Sequence, residues 1–539
     1  MASATVPAQQ AGSAGSGSSG HDRPPAAVAT AAVLVAVASL CPVAYLLLRE
    51  GFSLRLLAAE LASPSTPELI AHTFVLTGTV CVASLVLGLG LAVLVVRTDL
   101  PAARLWVVVL TMPLAVPGFV SSYTWLAASL RFFPTSDVIS GLSGSTLVLG
   151  LGLYPYVFLP AVTALRAADA AQEEAARALG RSAAGAFWSA TLPQLRTALC
   201  AGLLIVALHV LAEFGALQLL SYQTLTTAIM SRIKVLGAPE AARALSIVLV
   251  VAAVLVLVAE RLVRGRASRV RVGGGVIRPP TRWPLGRARA AWTVLTVLVA
   301  LLALGVPLYV AVTGLTRALT APAGARSAVA WDTLAHAGLT TCKLALAAAV
   351  VGTLVALPVS WLTARHPGAL ATLTERAVWT AHALPGVIMA LALVFIGIHW
   401  MRPLYQTSAM LVGAYVILYL PLAVGSQHVG FRSAAREFDE IAHSLRAGRL
   451  ATVRRVVLPL AAPGIAAGGL LMLLDAAKEL TTTLMLVPTG TNTLTTALWQ
   501  TTNGEVLDFT TAAPYGAALI LIGVLPAYLL ARRTLQTLH

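Results

Sequence analysis

Charge is scarce in this chain. Of 539 residues only 11% are Asp, Glu, Lys or Arg, less than half the share of a soluble globular protein, which excludes an ordinary water-soluble domain. Period-two alternation of apolar and polar residues is missing too, so a membrane β-barrel is excluded and helices must satisfy the backbone. Cysteine is rare. Cys41, Cys81, Cys200 and Cys342 lie in or beside apolar segments. They show no CxxC spacing and no histidine at ligand spacing, which excludes a disulfide framework or zinc site and leaves small packing residues. No G-x-x-x-x-G-K-[ST] run occurs. The chain therefore has no phosphate-binding loop with which to hydrolyse ATP, and no cofactor is expected on it.

What the chain has is apolar length. It is 58% hydrophobic with a mean hydropathy of +0.84. The apolar runs are about 20 residues or more, enough to cross the hydrocarbon layer as helices. They predict twelve spans: 26–48, 69–96, 105–130, 144–165, 197–220 and 241–259, then 291–313, 334–363, 377–400, 409–430, 462–486 and 513–531. The fold class is thus an all-α polytopic membrane protein in two parallel halves of six helices. The domains are a disordered tail 1–25 rich in Ala, Ser, Gly and Pro, a first half 26–259, a basic connector 260–290 and a second half 291–539. The run 26–48 follows Arg23 and resembles a signal peptide, but it is long enough to span and is kept as the first membrane helix. The net charge of +16 does not indicate nucleic acid, because the arginines cluster in short polar breaks. Roughly 26 of the 37 Lys and Arg fall on one side of the spans, together with both termini, which makes that side cytoplasmic.

The halves repeat in detail. EEAARALGRSAAGAFWSATLP, Glu173 to Pro193, matches DEIAHSLRAGRLATVRRVVLP, Asp439 to Pro459. Glu174 precedes Pro193 by 19 positions, and Glu440 precedes Pro459 by 19. Glu174 and Glu440 stand 266 apart, and so do Glu213 and Glu479. TLTTA occurs verbatim at Thr224–Ala228 and Thr493–Ala497; Pro117-Gly118 matches Pro385-Gly386, and Leu159-Pro160 matches Leu420-Pro421.

In the first loop, Glu174, Ala175 and Ala176 open an Ala-rich helical stretch whose small side chains suit a groove in another protein. Gly180 makes a turn cheap. A second amphipathic stretch leads to Leu192-Pro193, where proline suits the first turn of the next membrane helix. The second loop departs from this. Ile441 replaces the first alanine and Arg446 the glycine, so Gly448 is the candidate for the turn, with Glu440, Ala442, Leu458 and Pro459 in place. A membrane protein that presents one hydrophilic loop twice on one side offers two equivalent surfaces to a two-fold soluble partner.

These loops resemble the EAA loop of ABC importer permeases. AEFGALQLLSYQTLTTAI (Ala212 to Ile229), AAKELTTTLMLVPTGTNTLTTALW (Ala476 to Trp499) and the YPYVFLPAVTAL stretch before the first loop are similar to segments of the fused, double-length permeases of the ferric iron type. The resemblance covers nearly the whole chain after residue 25. It implies an inner-membrane permease subunit that docks two copies of an ABC ATPase, which carry ATP and Mg, and that receives substrate, ferric iron, from an extracytoplasmic binding protein. Thiamine and phosphonate permeases are close relatives of that type and stay open as alternatives. A secondary transporter with two six-helix halves is the other class. It would carry its basic loop after the second span of each half, whereas here the long loop follows the fourth.

Glu213, Asp475, Lys478 and Glu479 fall inside apolar runs, where a charge costs at least about 2.5 kcal/mol. Two readings stand for them: an ion pair that fixes helix packing, or a polar lining of the translocation path. Two carboxylates are too few for a tight cage around a hard cation, so no metal site is assigned. His209 reads as a hydrogen-bonded packing residue, and His72 and His336 as interfacial caps.

Overall fold

The computed structural model describes residues 24–48, 54–134, 137–264, 282–322, 329–382, 384–433, 448–502 and 509–536. Most of the expected tail, the middle of the connector, and Glu440 and Ala442 lie outside these. Among the described residues the protein is all α, apart from one isolated β-bridge between Thr98 and Trp283. Among the described residues nine helices are long and apolar enough to cross a membrane, and counting each of three bent pairs as one span gives 12, the number expected.

The first half runs α1 (Ala26–Leu48), α2 (Leu54–Leu61), α3 (Ser65–Arg97), α4 (Ala103–Thr111), α5 (Gly118–Phe132), α6 (Gly141–Leu153), α7 (Pro155–Ala167), α8 (Ala170–Ala178), α9 (Ala183–Ala186), α10 (Leu192–Ala212), α11 (Gly215–Leu219), α12 (Leu225–Lys234) and α13 (Pro239–Arg264). The second runs α14 (Arg289–Ala300), α15 (Val306–Thr320), α16 (Trp331–Arg365), α17 (Ala369–His382), α18 (Gly386–His399), α19 (Ser408–Ser433), α20 (Arg449–Thr452), α21 (Leu458–Lys478), α22 (Thr481–Leu486), α23 (Leu494–Thr502) and α24 (Phe509–Gln536).

Two spans in each half, and a third in the first half, are not the continuous helices that hydropathy predicts. The run 105–130 breaks at Pro117-Gly118 with a bend of 93°, and 377–400 at Pro385-Gly386 with one of 98°. Proline has no N–H to continue the ladder and disfavours helix in the residue before it. Pro117 and Pro385 accordingly adopt φ −58°, ψ 145° and φ −55°, ψ 141°, and the glycine after each begins the next helix. The runs 197–220 and 462–486 end as helices at Ala212 and Lys478; Glu213 and Glu479 are already extended. A milder bend of 41° separates α6 from α7, just before Pro155.

Leu192-Pro193 and Leu458-Pro459 open α10 and α21 with proline in the first turn, as expected, but neither helix starts free. Helix is continuous from Ala183 to Ala212, and a π-turn, Phe187–Thr191, stands directly before Leu192-Pro193. Val453–Val457 stands likewise before Leu458-Pro459, and Leu301–Gly305 before Val306-Pro307. Widening one turn makes room for the proline ring against the preceding carbonyls, so the helix passes a residue that would otherwise break it.

Each half is built on three mutually packed helices, α3, α7 and α10 in the first and α16, α19 and α21 in the second. Glycines permit the approach. A Cβ on Gly202 would stand 2.5 Å from the Tyr156 carbonyl oxygen, and one on Gly468 2.8 Å from the Cα of Ala423. Helices packed in lipid associate through such small-residue contacts rather than through the hydrophobic effect. The repeated TLTTA segments are held by the same bonds. Thr224 N–H donates to Thr227 Oγ1 and Thr493 N–H to Thr496 Oγ1, each at 2.8 Å. Leu225 N–H donates to Thr73 Oγ1 at 3.0 Å and Leu494 N–H to Thr341 Oγ1 at 2.9 Å.

The first span of each half reaches the other half, α1 wholly and α15 in part. α1 lies against α16, α17 and α18, with Ala32 buried among Ala356, Val359 and Val378. α15 lies against α5 and α24, with Val310 and Ala311 buried beside Val116, Phe119 and Val120. Of the cysteines, Cys200 is buried and Cys81 half-buried, whereas Cys41 and Cys342 are exposed rather than packed inside.

Candidate functional site

The first loop is a capped helix, a turn and a second helix. Asp169 caps α8 by accepting the Ala171 N–H at 3.0 Å. Gly180 ends it in the left-handed region, φ +87°, while Arg181 N–H reaches back to the Ala176 carbonyl. Ser182 caps α9 through the Gly185 N–H at 3.1 Å. Glu174 and Ala175 are exposed, Ala176 is half-buried, and nothing stands within 4 Å of the Cβ that Gly180 lacks. Leu192 is half-buried and Pro193 exposed. Two large apolar side chains project from the same loop, Leu179 at 86% exposure and Trp188 at 64%.

The anchor of this loop is one residue before the glutamate that the motif nominates. Glu173 is 4% exposed and its carboxylate accepts from Arg97 Nη2 at 2.7 and 2.5 Å and from Thr191 Oγ1 at 2.9 Å. One buried carboxylate thus ties α8 by an ion pair to the end of α3 and by a hydrogen bond to the π-turn before α10. Sequence reasoning passed over Glu173. The available signal was an acid before the motif glutamate in both copies (Glu173, Asp439) and an arginine ending the second span of each half (Arg97, Arg365).

In the second loop Gly448 does not form a left-handed turn. Its carbonyl accepts the Thr452 N–H at 3.0 Å and so opens α20. Leu458 and Pro459 are exposed.

The four charged residues of the apolar runs come together where the broken helices meet. Glu213 Oε1 accepts the Ala216 N–H at 3.0 Å, and Glu479 Oε1 accepts the Thr482 N–H at 2.8 Å. Each carboxylate therefore caps the short helix after its own break. Glu479 Oε2 also accepts from Tyr419 Oη at 2.7 Å. The breaks adjoin across the halves. A Cβ on Gly215 would lie 2.5 Å from Leu480 Cδ2, and the carboxylates of Glu213 and Glu479 are near enough for their charges to interact. Trp499 of the second half packs on Phe119 and Phe214 of the first, at 5.5 and 5.1 Å between centroids.

Lys478 Nζ sits 3.2 Å from Asp475 Oδ1 and donates at 3.5 Å to the carbonyl of Leu114, in the turn before the Pro117 break of the other half. His209 is the register counterpart of Asp475, 266 positions earlier. It is hydrogen-bonded, through Nδ1 to the Ile205 carbonyl at 3.0 Å and through Nε2 to Tyr156 Oη at 3.4 Å. It is nevertheless exposed rather than packed away, and its electrostatic neighbours are Asp475, His382 and Lys478. Equivalent positions of the two halves thus carry different groups around one axis. Among the described residues no three His, Cys, Asp or Glu side chains form a metal cage.

Residues 84–272 and 356–536 each match the family of binding-protein-dependent transport system inner membrane components. The chain is 30% identical over 510 residues to the Fe(3+)-transport system permease protein FbpB 2 of Haemophilus influenzae, covering 94% of this chain and 98% of that one. It is 36% identical over 157 residues to a putative ABC transporter permease protein, ORF1, of Streptomyces antibioticus, covering 29% of this chain and 68% of that one. It is 28% identical over 196 residues to the sulfate transport system permease protein CysW of Escherichia coli, covering 34% and 66%.

Proposed function

This chain belongs to the binding-protein-dependent transport system inner membrane components and carries the family's domain twice, and from that premise we propose that one copy forms the whole translocating unit of a ferric iron importer. Two copies of an ABC ATPase dock on the two loops from the cytoplasm, and an extracytoplasmic binding protein delivers the substrate to the other side. Both termini are cytoplasmic, and the unit boundaries are those drawn from the apolar runs, at about residues 26, 260 and 291.

The observation that carries the docking reading is the first loop itself. Glu174, Leu179, Gly180 and Trp188 face outward from a segment whose inner side is fixed by a buried ion pair. A rigid inside and an apolar outside are what a force-bearing contact needs. Glu440, Ala442, Gly448, Leu458 and Pro459 are the corresponding residues of the second loop, with Ala175, Ala176, Leu192 and Pro193 completing the first. Similarity to a Fe(3+) permease over nearly the full length supports iron as cargo. The path lies at the junction of the broken helices, lined by Glu213, Asp475, Lys478 and Glu479. Their capping and ion-pair bonds also give them a packing role there.

The test is uptake of radiolabelled Fe³⁺ in a strain lacking this chain and complemented with it. Restoration of iron uptake that depends on ATP supports the reading. Restoration of sulfate or phosphate uptake with no effect on iron would replace iron by an oxyanion and leave the importer reading intact.

A further inference from the structure

The connector between the halves is bound to the first loop. Trp283 N–H donates to the Arg97 carbonyl at 2.6 Å, and Leu285 N–H donates to Asp99 Oδ1 at 2.8 Å. The indole of Trp283 lies over the Arg97 guanidinium, 4.8 Å from ring centroid to Cζ, and meets the Phe187 ring edge-on at 5.7 Å. Arg97 is the residue that holds Glu173, and Phe187 begins the π-turn that holds Thr191. One connector side chain therefore closes the assembly formed by the end of α3, α8 and the π-turn.

The second half meets the same need differently. Arg365, the counterpart of Arg97 at an offset of 268, is covered by Trp361 of its own helix, at 5.5 Å. The position corresponding to Trp361 in the first half is Val93, which cannot stack on a guanidinium. An aromatic over the arginine is thus intrinsic to the second half and supplied to the first by the connector. A cation–π contact with a desolvated guanidinium also screens the ion pair beneath it from water.

We propose that Arg97 is a positioning residue for the first docking loop and that Trp283 is its clamp, so the connector is a working part of that loop and not a tether. The proposal rests on the docking reading above for its consequence in transport, but not for the clamp itself. Loosening the clamp frees α8 to move without moving α3, so ATP is hydrolysed with less substrate carried.

Hydrogen exchange over residues 170–178, measured on the full-length permease in detergent without any ATPase, tests the clamp directly. Trp283→Ala and Glu173→Gln are expected to raise exchange there at least about tenfold while leaving α16 and α19 unchanged. Trp283→Phe is expected to stay near wild type, because the indole N–H is buried with no hydrogen-bond partner among the described residues and the ring acts by its face and edge. In proteoliposomes with the ATPase, substrate carried per ATP should fall several-fold in Trp283→Ala and recover in Trp283→Phe. Wild-type exchange over 170–178 in both Trp283→Ala and Glu173→Gln overturns the clamp. Raised exchange with unchanged transport per ATP overturns its role in coupling. If Gly180→Trp also leaves assembly and transport per ATP unchanged, the docking reading has failed, and the exchange result still decides the clamp.

Discussion

Gly118 and Glu213 touch across two helix breaks: a Cβ on Gly118 would lie 3.0 Å from Glu213 Oε2. The second half repeats the relationship between Gly386 and Glu479, where the added carbon would stand 3.4 Å from the carboxylate and 2.9 Å from Thr482 Oγ1. In each half a helix broken by Pro-Gly presents its bare backbone to the carboxylate at the end of a second broken helix. Half-helices with capped, polar ends facing a protein interior are tolerated at membrane depth where they line a cavity or are covered by protein.

Filling that contact should be costly. Gly118→Ala and Gly386→Ala are each expected to destabilise the protein by about 1–3 kcal/mol, the usual cost of overpacking, and to slow uptake. Gly78→Ala is the control, because nothing lies within 4 Å of the new carbon. Thermal unfolding in detergent and uptake in cells measure both effects. Equal behaviour of Gly118→Ala and Gly78→Ala would mean the breaks have slack that the contact distance does not suggest.

Asp475 and Lys478 offer a cleaner separation of packing from transport. Their side chains are 23% and 15% exposed, so removing one charge leaves the other largely desolvated. Lys478→Met alone should cost about 1–3 kcal/mol, and Asp475→Asn with Lys478→Met less than the sum of the single changes. If the pair only fixes packing, uptake by the double variant returns with its stability. A stable double variant that still fails to transport assigns the pair to the path.

The twelve spans and the two-fold repeat were legible because apolar length and repeated motifs are written directly in residue order. The helix breaks were not. Hydropathy counts apolar residues and cannot tell a straight helix from one turned by 93° at Pro117-Gly118; those residues stood out as a repeat before they stood out as a bend. Glu213 and Glu479 read as residues within helices because a cap and a helix interior differ only in backbone angles. The motif register named Glu174, which faces outward, and passed over Glu173, whose partner Arg97 is 76 positions away. The contact of each first span with the other half has no periodicity at all, since it depends on which small residues fit together in space.

The outward face of the first loop should carry most of its docking energy in two side chains. Trp188→Ala is expected to weaken ATPase binding by about 2 kcal/mol, near thirtyfold, as large exposed aromatics do at the centre of interfaces. Leu179→Asp should act in the same direction, and Ser189→Ala should not. Pull-down of the ATPase by the permease at several concentrations measures this. Full retention by a Trp188→Ala, Leu179→Asp double variant would move the docking surface elsewhere.

The packing of α1 on the second half and of α15 on the first leads to a last expectation. The first half does not bury its own first span, and the second half buries its own only in part: Ala32 of α1 finds its neighbours on α16 and α17, and Ala311 of α15 lies between α24 of its own half and α5 of the other. A first half produced alone, ending within residues 265–281, should therefore expose the face of α5 that α15 covers and be degraded in the membrane. The two pieces produced together should assemble, because the contacts between halves are side-chain contacts that need no peptide link. Trp499 on Phe214 and the Tyr123 hydroxyl donating to the Phe509 carbonyl at 3.0 Å are among them. The second piece would still carry Trp283, so α8 should keep its protection from exchange in the reassembled protein. Co-purification of the pieces and the lifetime of each alone give the measurement. A first half that is stable and monodisperse alone would show that the contacts of the first spans across the halves contribute little, and that the peptide link, not the packing, holds the two units together.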